Sequence, residues 1–550
     1  MRHHMITVIG STLSAVSSRR YDCIVRLTFL LFLMFLVSAV GLECQEVSDN
    51  VGPGLAVIEA VRYTLLHHPA LQSQQVQVQI VRGTRLVTSS AFDGIFQTGL
   101  AQSLSAVAEG TQRNSAGGVS AVSDKFTQTT YSADYSELFR NGISIAPTYQ
   151  ATREISGFLG PGGLNTSVVG LTLTLPLLRG RGHGAVAAQE DAAKEEVTAA
   201  SLDLDQEIAQ LTLNTVVSYW RLLAARRFLE VAIEAEERGK TYVDNTQALV
   251  DADRVPRNDL HEVTANLAQL SSQRVAAQSV VIDAGLQLAS DMGLPAKEML
   301  REMPALSDEF PNSSIQTPPS DNATALVDYL NEALQRRADF LAANRRTREQ
   351  SVLVVGAQNR LLPQLDLGLA GGYSQAQTGT NVAQLFSVPF SQGIGPNVSG
   401  SITLSFPFRN RAAIGGVMQA KGALKQAELN AETVARNIGQ SVGVAVEGVR
   451  SAGLRVEQSM AAVREFQTSL AGARQKYALG FGSIVEILTI EDRLTTALNS
   501  QIQGQLDYAQ ALTQLRFSTG TLMDARQPVP QISADTFVTL PFPERLPPSK

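Results

Sequence analysis

The sequence predicts a mainly α-helical protein with β-strands, built as two copies of one unit. Two helical patterns are unusually long, one from about His183 to Val250 and one from about Arg411 to Leu479. Short runs of period-two alternation precede each of them, and LTLTLPL (171–177) and ITLSFPF (402–408) carry a proline in register. The order short helix, strand, strand, long helix, tip, long helix then occurs twice, and such an internal repeat decides the architecture before any single motif does.

Composition and the leader bound the function. The chain has 550 residues, 17% of them charged, with a formal net charge of −6 and no basic run that would suit a nucleic acid. Leu27 to Val40 is a 14-residue apolar stretch, short for a membrane helix and right for the core of a signal peptide. Arg19, Arg20 and Arg26 precede it, and Ala39 and Gly41 are small residues placed for cleavage after Gly41. Residues 1–41 therefore read as a Sec signal peptide. Tyr21-Asp22-Cys23 does not continue a twin-arginine pattern, and Met5 would serve as a start as well as Met1. Cys44 is then alone in the mature chain, so no intrachain disulfide is expected. Glu43 before it does not suit a lipid anchor.

The first unit is assigned to 42–294. Leu55, Ile58, Val61, Leu65 and Leu66 share one helix face, and Pro69 interrupts the pattern. Strands occupy 92–178: one from Phe92, two β-type runs between Lys125 and Ser156 joined at Asn141-Gly142, and a last one from Thr166 that Pro176 closes. A helical hairpin follows over 183–292. Its first arm of roughly 67 residues is about 100 Å long. Leu204, Ile208, Leu211, Thr215, Ser218, Leu222, Ala225, Leu229 and Ala232 step by four and three along it, which is a coiled-coil seam. The chain breaks at Asp251 to Pro256, returns, and stops at Gly293-Leu294-Pro295. Residues 295–322 read as a linker.

The second unit is assigned to 323–520. LVDYLNEALQRRADFLAANRR (326–346) restates LAVIEAVRYTLLHHPALQSQQ (55–75), strands follow over 363–408, and a helical hairpin over 411–520. Its tip is QKYALGFGSIVEIL, Gln475 to Leu488, where Gly480 and Gly482 break one helix and Ser483 caps the next. The first unit differs by an extra hairpin of about 38 residues between its strands. The Pro-rich remainder, 521–550, is expected to be a loosely packed tail. Four main strands per chain cannot close a barrel, and open edges are excluded in lipid. Several chains must therefore share one barrel.

In this arrangement the chain resembles the outer membrane efflux protein family, the TolC-like channels. The marks are HHPAL and RRADF at the helix ends, LTLPLLRGRG between strand and helix, and the tip YALGFGSIVEIL. The resemblance covers about 55–520. It implies a homotrimer in which a 12-stranded outer-membrane β-barrel continues into a 12-helix periplasmic α-barrel. It also implies a periplasmic adaptor and an inner-membrane pump as partners, outer-membrane lipid around the barrel, and no cofactor. The implied function is a passive exit duct for efflux or type I secretion.

By the same resemblance Tyr477 stands at an aromatic position that bonds to an acid of the first hairpin, here Asp259, and Glu486 stands where an acidic ring narrows the pore. Gly482 replaces a basic residue of the family tip and Thr489 a second acid, so fewer locking contacts and one ring are expected. Ala478, Leu479 and Gly480 match the short motif that adaptors contact. Ala252, Asp253 and Arg254, taken as its first-unit counterpart, depart from it, so the two tips should bind adaptors unequally.

Enzyme readings fail on context. Gly180, Gly182 and Ala185 mimic a dinucleotide fingerprint with Asp203 downstream, but the strand before them alternates Thr and Leu and the helix is too long for a crossover. Gly239-Lys240-Thr241 lies within a helix and lacks the upstream glycine of a phosphate loop. His67 and His68 point to different helix faces and no metal site is expected, while Trp220 should pack between helices. The alternative to a duct is an outer-membrane stalk or adhesin that transports nothing. The chain does not separate drug, metal and protein cargo.

Overall fold

A computed structural model describes residues 54–113, 119–156, 162–301, 304–311, 323–379, 395–479, 481–523 and 534–541. The expected signal peptide, Cys44, the linker beyond 311 and Gly480 lie outside the described residues.

Six strands form one antiparallel sheet in chain order: β1 (Ile95–Arg113), β2 (Val119–Leu138), β3 (Ser144–Ile155), β4 (Leu164–Pro176), β5 (Gln364–Thr378) and β6 (Pro396–Ser405). This corrects the expectation of four wall strands per chain. β2 pairs with β1 along its length and β3 pairs with β4 from Ser144↔Thr174 to Glu154↔Leu164, so the extra hairpin lies inside the sheet. The expected strand boundaries shift by a few residues, and β1 and β2 run further than expected.

The register sorts the side chains into two faces. Leu100 opposes Tyr131, Tyr131 opposes Ala151, Tyr149 opposes Val169, Leu173 opposes Leu369, and Leu367 opposes Ile402. At these positions the face is apolar on all six strands, while Thr98 and Gln102 interrupt it on β1 and Arg153, Asn165, Ser167 and Gln375 make it polar toward one end. Phe96, Leu100, Leu104, Leu171, Leu369, Val398, Ile402 and Leu404 on it are exposed in the single chain. The other face carries Gln97, Ser103, Thr130, Asp134, Thr148, Thr172, Asp366, Ser399 and Thr403. Phe96 to Leu104 is a nine-residue band on β1, and strands of 9–11 residues cross a bilayer when tilted.

The helices follow the repeat. The first unit has α1 (Val57–His67), α2 (Pro69–Ser89), α3 (Ala188–Asp251) and α4 (Arg257–Asp291); the second has α5 (Ala323–Arg336), α6 (Ala338–Asn359), α7 (Arg411–Ala478) and α8 (Ile484–Ser518). The helix expected over 326–346 thus divides at Arg337, as the first divides at His68. A single turn over His183–Val186 precedes α3, which begins after Ala187. α3 packs along α4, α7 along α8, α2 on α3, and α6 on both α3 and α7. In the α3 seam, Leu211, Thr215, Ser218, Leu222 and Ala225 are buried.

Each returning arm abuts a short helix end to end. α4 stops in the turn Gly293 (φ +74), whose Cβ would lie 2.8 Å from His68 Cα; α8 stops at Gly520 (φ +67), whose Cβ would lie 3.0 Å from Arg336 Cβ. Leu294 N donates to Ala289 O at 3.0 Å and Thr521 N to Arg516 O at 2.8 Å, the same C-terminal turn in both units. Glycine is required there because a positive φ and a neighbouring helix start coincide.

Two segments expected to be loose are docked. Asp308 Oδ2 accepts from Val57 N at 2.6 Å, capping α1, and lies 2.9 Å from the Tyr219 hydroxyl. Phe310 stacks on Trp220 at 5.8 Å, so that tryptophan packs against the linker as well as between helices. In the tail, Arg516 donates to Thr539 O at 2.9 Å, and Phe537 and Leu540 are fully buried.

An ionic seam joins α6 to α3: Arg345 with Glu195 at 3.2 Å, and Arg346 with Glu196 at 3.3 Å and with Asp203. Burial and the Glu196 carboxylate push Glu349 beside it up to about 7. A carboxyl raised in the folded state gives stability that is complete below its ordinary pKa of 4.5 and lost as pH rises through 7. Glu349→Gln should therefore flatten the pH dependence of the thermal midpoint between these values and raise the midpoint at pH 8. An unchanged slope in that window would sink the assignment.

Candidate gate and docking site at the helical tips

The two tips are built by the same hydrogen bonds. Arg254 N donates to Leu249 O at 2.8 Å and Asp253 N to Val250 O at 3.0 Å, with Asp253 at φ +53; Phe481 N donates to Lys476 O at 3.0 Å. These bonds pair Arg254 with Phe481, Asp253 with the position of Gly480, and Ala252 with Leu479. The counterpart of Ala478 is therefore Asp251, one residue before the triad expected from the sequence. Aspartate is among the few residues that tolerate a left-handed cap.

The returning arms start alike. Ser483 caps α8, its Oγ accepting from Val485 N at 3.2 Å, and Pro256 opens α4. Asp259 and Glu486 then occupy equivalent places, the third residue of each arm, where a carboxylate suits the helix dipole. Glu486 is exposed and Asp259 is half-buried. Gly482 is confined: a Cβ there would meet Tyr477 N at 3.0 Å.

Tyr477 packs against the apolar cluster of Val263, Leu470, Ile484 and Ile487. Its hydroxyl is pushed up by burial and then by the Asp259 charge, which puts the two residues in electrostatic reach. The expected hydrogen bond between them is not formed within one chain.

A stronger junction lies two turns along from the tip, and sequence reasoning missed it. Glu491 on α8 is buried and accepts from the Tyr242 hydroxyl at 2.8 Å, Arg238 Nε at 3.1 Å and Arg474 Nη2 at 2.6 Å. Arg474 Nε also donates to the Tyr242 hydroxyl at 3.0 Å. Arg238 and Tyr242 belong to α3 and Arg474 to α7, so one carboxylate ties the first hairpin to both arms of the second. Burial, helped by the Glu491 bond, pushes the Tyr242 hydroxyl up to about 12. The only clue in the sequence is that Arg238 and Tyr242 share a helix face.

The tips differ in what they present. Leu479 is 65% and Phe481 87% exposed, and Val485 beside them is exposed. Ala252, Asp253 and Arg254 are exposed at the other tip, which is therefore charged where its counterpart is apolar. Among the described residues no group of acidic, His or Cys side chains could hold a metal ion, and no helix is long and apolar enough to cross a membrane.

Residues 329–521, which include the second tip and its arms, match the model of the outer membrane efflux protein family. No curated protein sequence matches the chain. In fold it is similar to the CmeC outer membrane channel of Campylobacter jejuni, with a TM-score of 0.57 and 15% identity over 84% of this chain and 85% of that one. CusC, described for its transmembrane channel formation, superposes at 0.61 with 15% identity over 84% and 92% of the two chains. The outer membrane protein VceC of Vibrio cholerae superposes at 0.58 with 15% identity over 84% and 96%. The likeness spans both units, so the first unit shares the channel fold with the second.

Tyr242 and Glu491 act on one carboxylate network, so their substitutions should not add. Tyr242→Phe and Glu491→Gln are each expected to cost about 1–3 kcal/mol. The double variant should cost less than their sum by about 1 kcal/mol, measured by denaturant unfolding in detergent. Strict additivity would show that the contacts are independent.

Proposed function

We propose that the chain is the outer-membrane exit duct of an efflux or type I secretion system. Three copies share one barrel and one helical tunnel, reached after Sec export. A periplasmic adaptor docks on the tips and an inner-membrane pump supplies the energy. The observation that carries this reading is the sheet: an apolar band runs along one face of six strands and is exposed on β1, β4, β5 and β6, the other face is largely polar, and two coiled helical hairpins follow from it. Hydrocarbon accepts such a sheet only as a closed barrel, and a polar inner face makes its interior an aqueous path.

Conduction is passive in this reading. The tips hold the tunnel shut, and Tyr477 with Asp259 and Glu486 line the constriction. Carboxylates repeated by symmetry in a narrow pore favour cations and repel anions, and their proximity would make each harder to ionise. The Glu491 network keeps the second hairpin against the first, so opening must separate Arg238 and Tyr242 from Arg474 or carry all three together. The exposed Leu479 and Phe481 suit an apolar groove on the adaptor, while Asp253 and Arg254 at the other tip do not.

The test is planar-bilayer conductance of the detergent-extracted protein. The wild type should conduct little; Glu491→Gln, which frees the tip, should raise conductance several-fold. Glu486→Gln in that background should weaken cation preference. A protein that never conducts with its tips freed would return the chain to a stalk or adhesin. Leu479→Asp with Phe481→Asp should abolish capture of the adaptor while conductance of the Glu491→Gln background stays intact.

A further inference from the structure

We propose that the barrel wall has eighteen strands, with the β2–β3 hairpin forming part of it in every copy. The inference rests on the trimeric duct reading and adds to it the width of the exit. Three observations place the hairpin in the wall. The ladder is continuous, from Ile95↔Ser136 through Thr127↔Ile155 and Ser144↔Thr174 to Gln364↔Ser405. The face that is apolar on β1 and β4 continues across the hairpin through Tyr131, Ala133, Tyr135, Tyr149 and Ala151. And the turn between β2 and β3 is built into the junction of barrel and tunnel.

That junction is specific. Arg140 Nε donates to Glu190 Oε2 at 2.6 Å and its Nη2 to Oε1 at 3.1 Å, and its guanidinium covers the Phe92 ring at 4.9 Å. Glu190, on the first turn of α3, is 5% exposed, and the Arg140 guanidinium holds its carboxyl below the usual range. Asn141 O accepts from Gly182 N at 3.0 Å, and a Cβ on Gly142 would lie 1.9 Å from Gly180 O. A hairpin hanging outside the wall would have no reason to anchor its turn on the start of the tunnel helix.

The strand number sets the width. With strands ~4.8 Å apart and tilted ~40°, eighteen close at a backbone diameter of ~36 Å and twelve at ~24 Å. Twelve helices side by side at ~9.5 Å spacing, four from each copy, close at ~36 Å. The wider barrel continues the tunnel at its own diameter. After ~5 Å of side chain or helix radius on each side, both leave a bore of ~26 Å, more than two helix diameters. Size selection then falls to the tips, and the exit can pass cargo as bulky as a partly folded peptide.

Single-particle electron microscopy of the wild-type protein in detergent tests this. A threefold barrel of eighteen strands, about 1.5 times the diameter expected for twelve, is the predicted result. A threefold barrel of twelve strands with the hairpin outside would overturn the inference and leave the duct standing. A particle with no threefold axis or no barrel would overturn both. As a second reading, a disulfide formed on oxidation by Ala151→Cys with Ser167→Cys in whole cells is expected from β3 beside β4. Failure of that pair to cross-link, with Gly99→Cys and Ser132→Cys cross-linking between β1 and β2, would remove β3 from the wall.

Discussion

A strand edge in hydrocarbon leaves each unpaired backbone N–H and C=O without water, at several kcal/mol per group. β1 and β6 are the edges of this sheet, and their apolar residues are among the most exposed in the chain, with Val398 at 85% and Leu104 at 72%. The two edges lie on opposite sides of the sheet, because the strands meander in order. In the proposed duct, neighbouring copies cover them. The helices inherit the resulting geometry: β4 leads to α3 and β6 to α7, and the junctions at Glu190 and Asn410 lie directly below the strand ends.

The helical half answers a different demand. In the proposed duct four long arms per chain pack around an aqueous path, and their contacts are made by clusters of Leu, Ile, Val and Ala with a few anchored polar groups. Glu491 shows why such a group is effective: one buried carboxylate satisfies donors from two other helices, and removing it takes the shared acceptor from Arg238, Arg474 and Tyr242 at once. The short helices α2 and α6 complete the upper wall beside α3 and α7.

Much of this was legible in the sequence, and the reasons for the rest are physical. The repeat could be read because proline in a strand and glycine after a helix are constrained by the backbone itself, as Pro176 and Gly520 show. Asp259 and Glu486 were named from the family resemblance, and the structure adds that they occupy the same step of two returning arms. The hairpin around Asn141 was recognised as a hairpin, but its place in the sheet depends on pairing with β4, which no local pattern encodes. The Glu491 network was invisible because its members stand far apart in the chain and meet only when two hairpins pack. Asp308 and Phe310 look like linker residues until Trp220 and the bare start of α1 are placed opposite them.

The end-to-end contacts at Gly293 and Gly520 have a mechanical consequence. Where α4 meets α2 and α8 meets α6, the wall is continuous in space and interrupted in covalent structure. A bend imposed on either lower arm therefore reaches the upper wall as sliding between two helix ends, without stretching a helical hydrogen bond. Each hairpin with its short helix then behaves as two rigid rods with a coupling between them, and Phe310 packs in the same cluster as Met292 and Leu294 at one of these couplings.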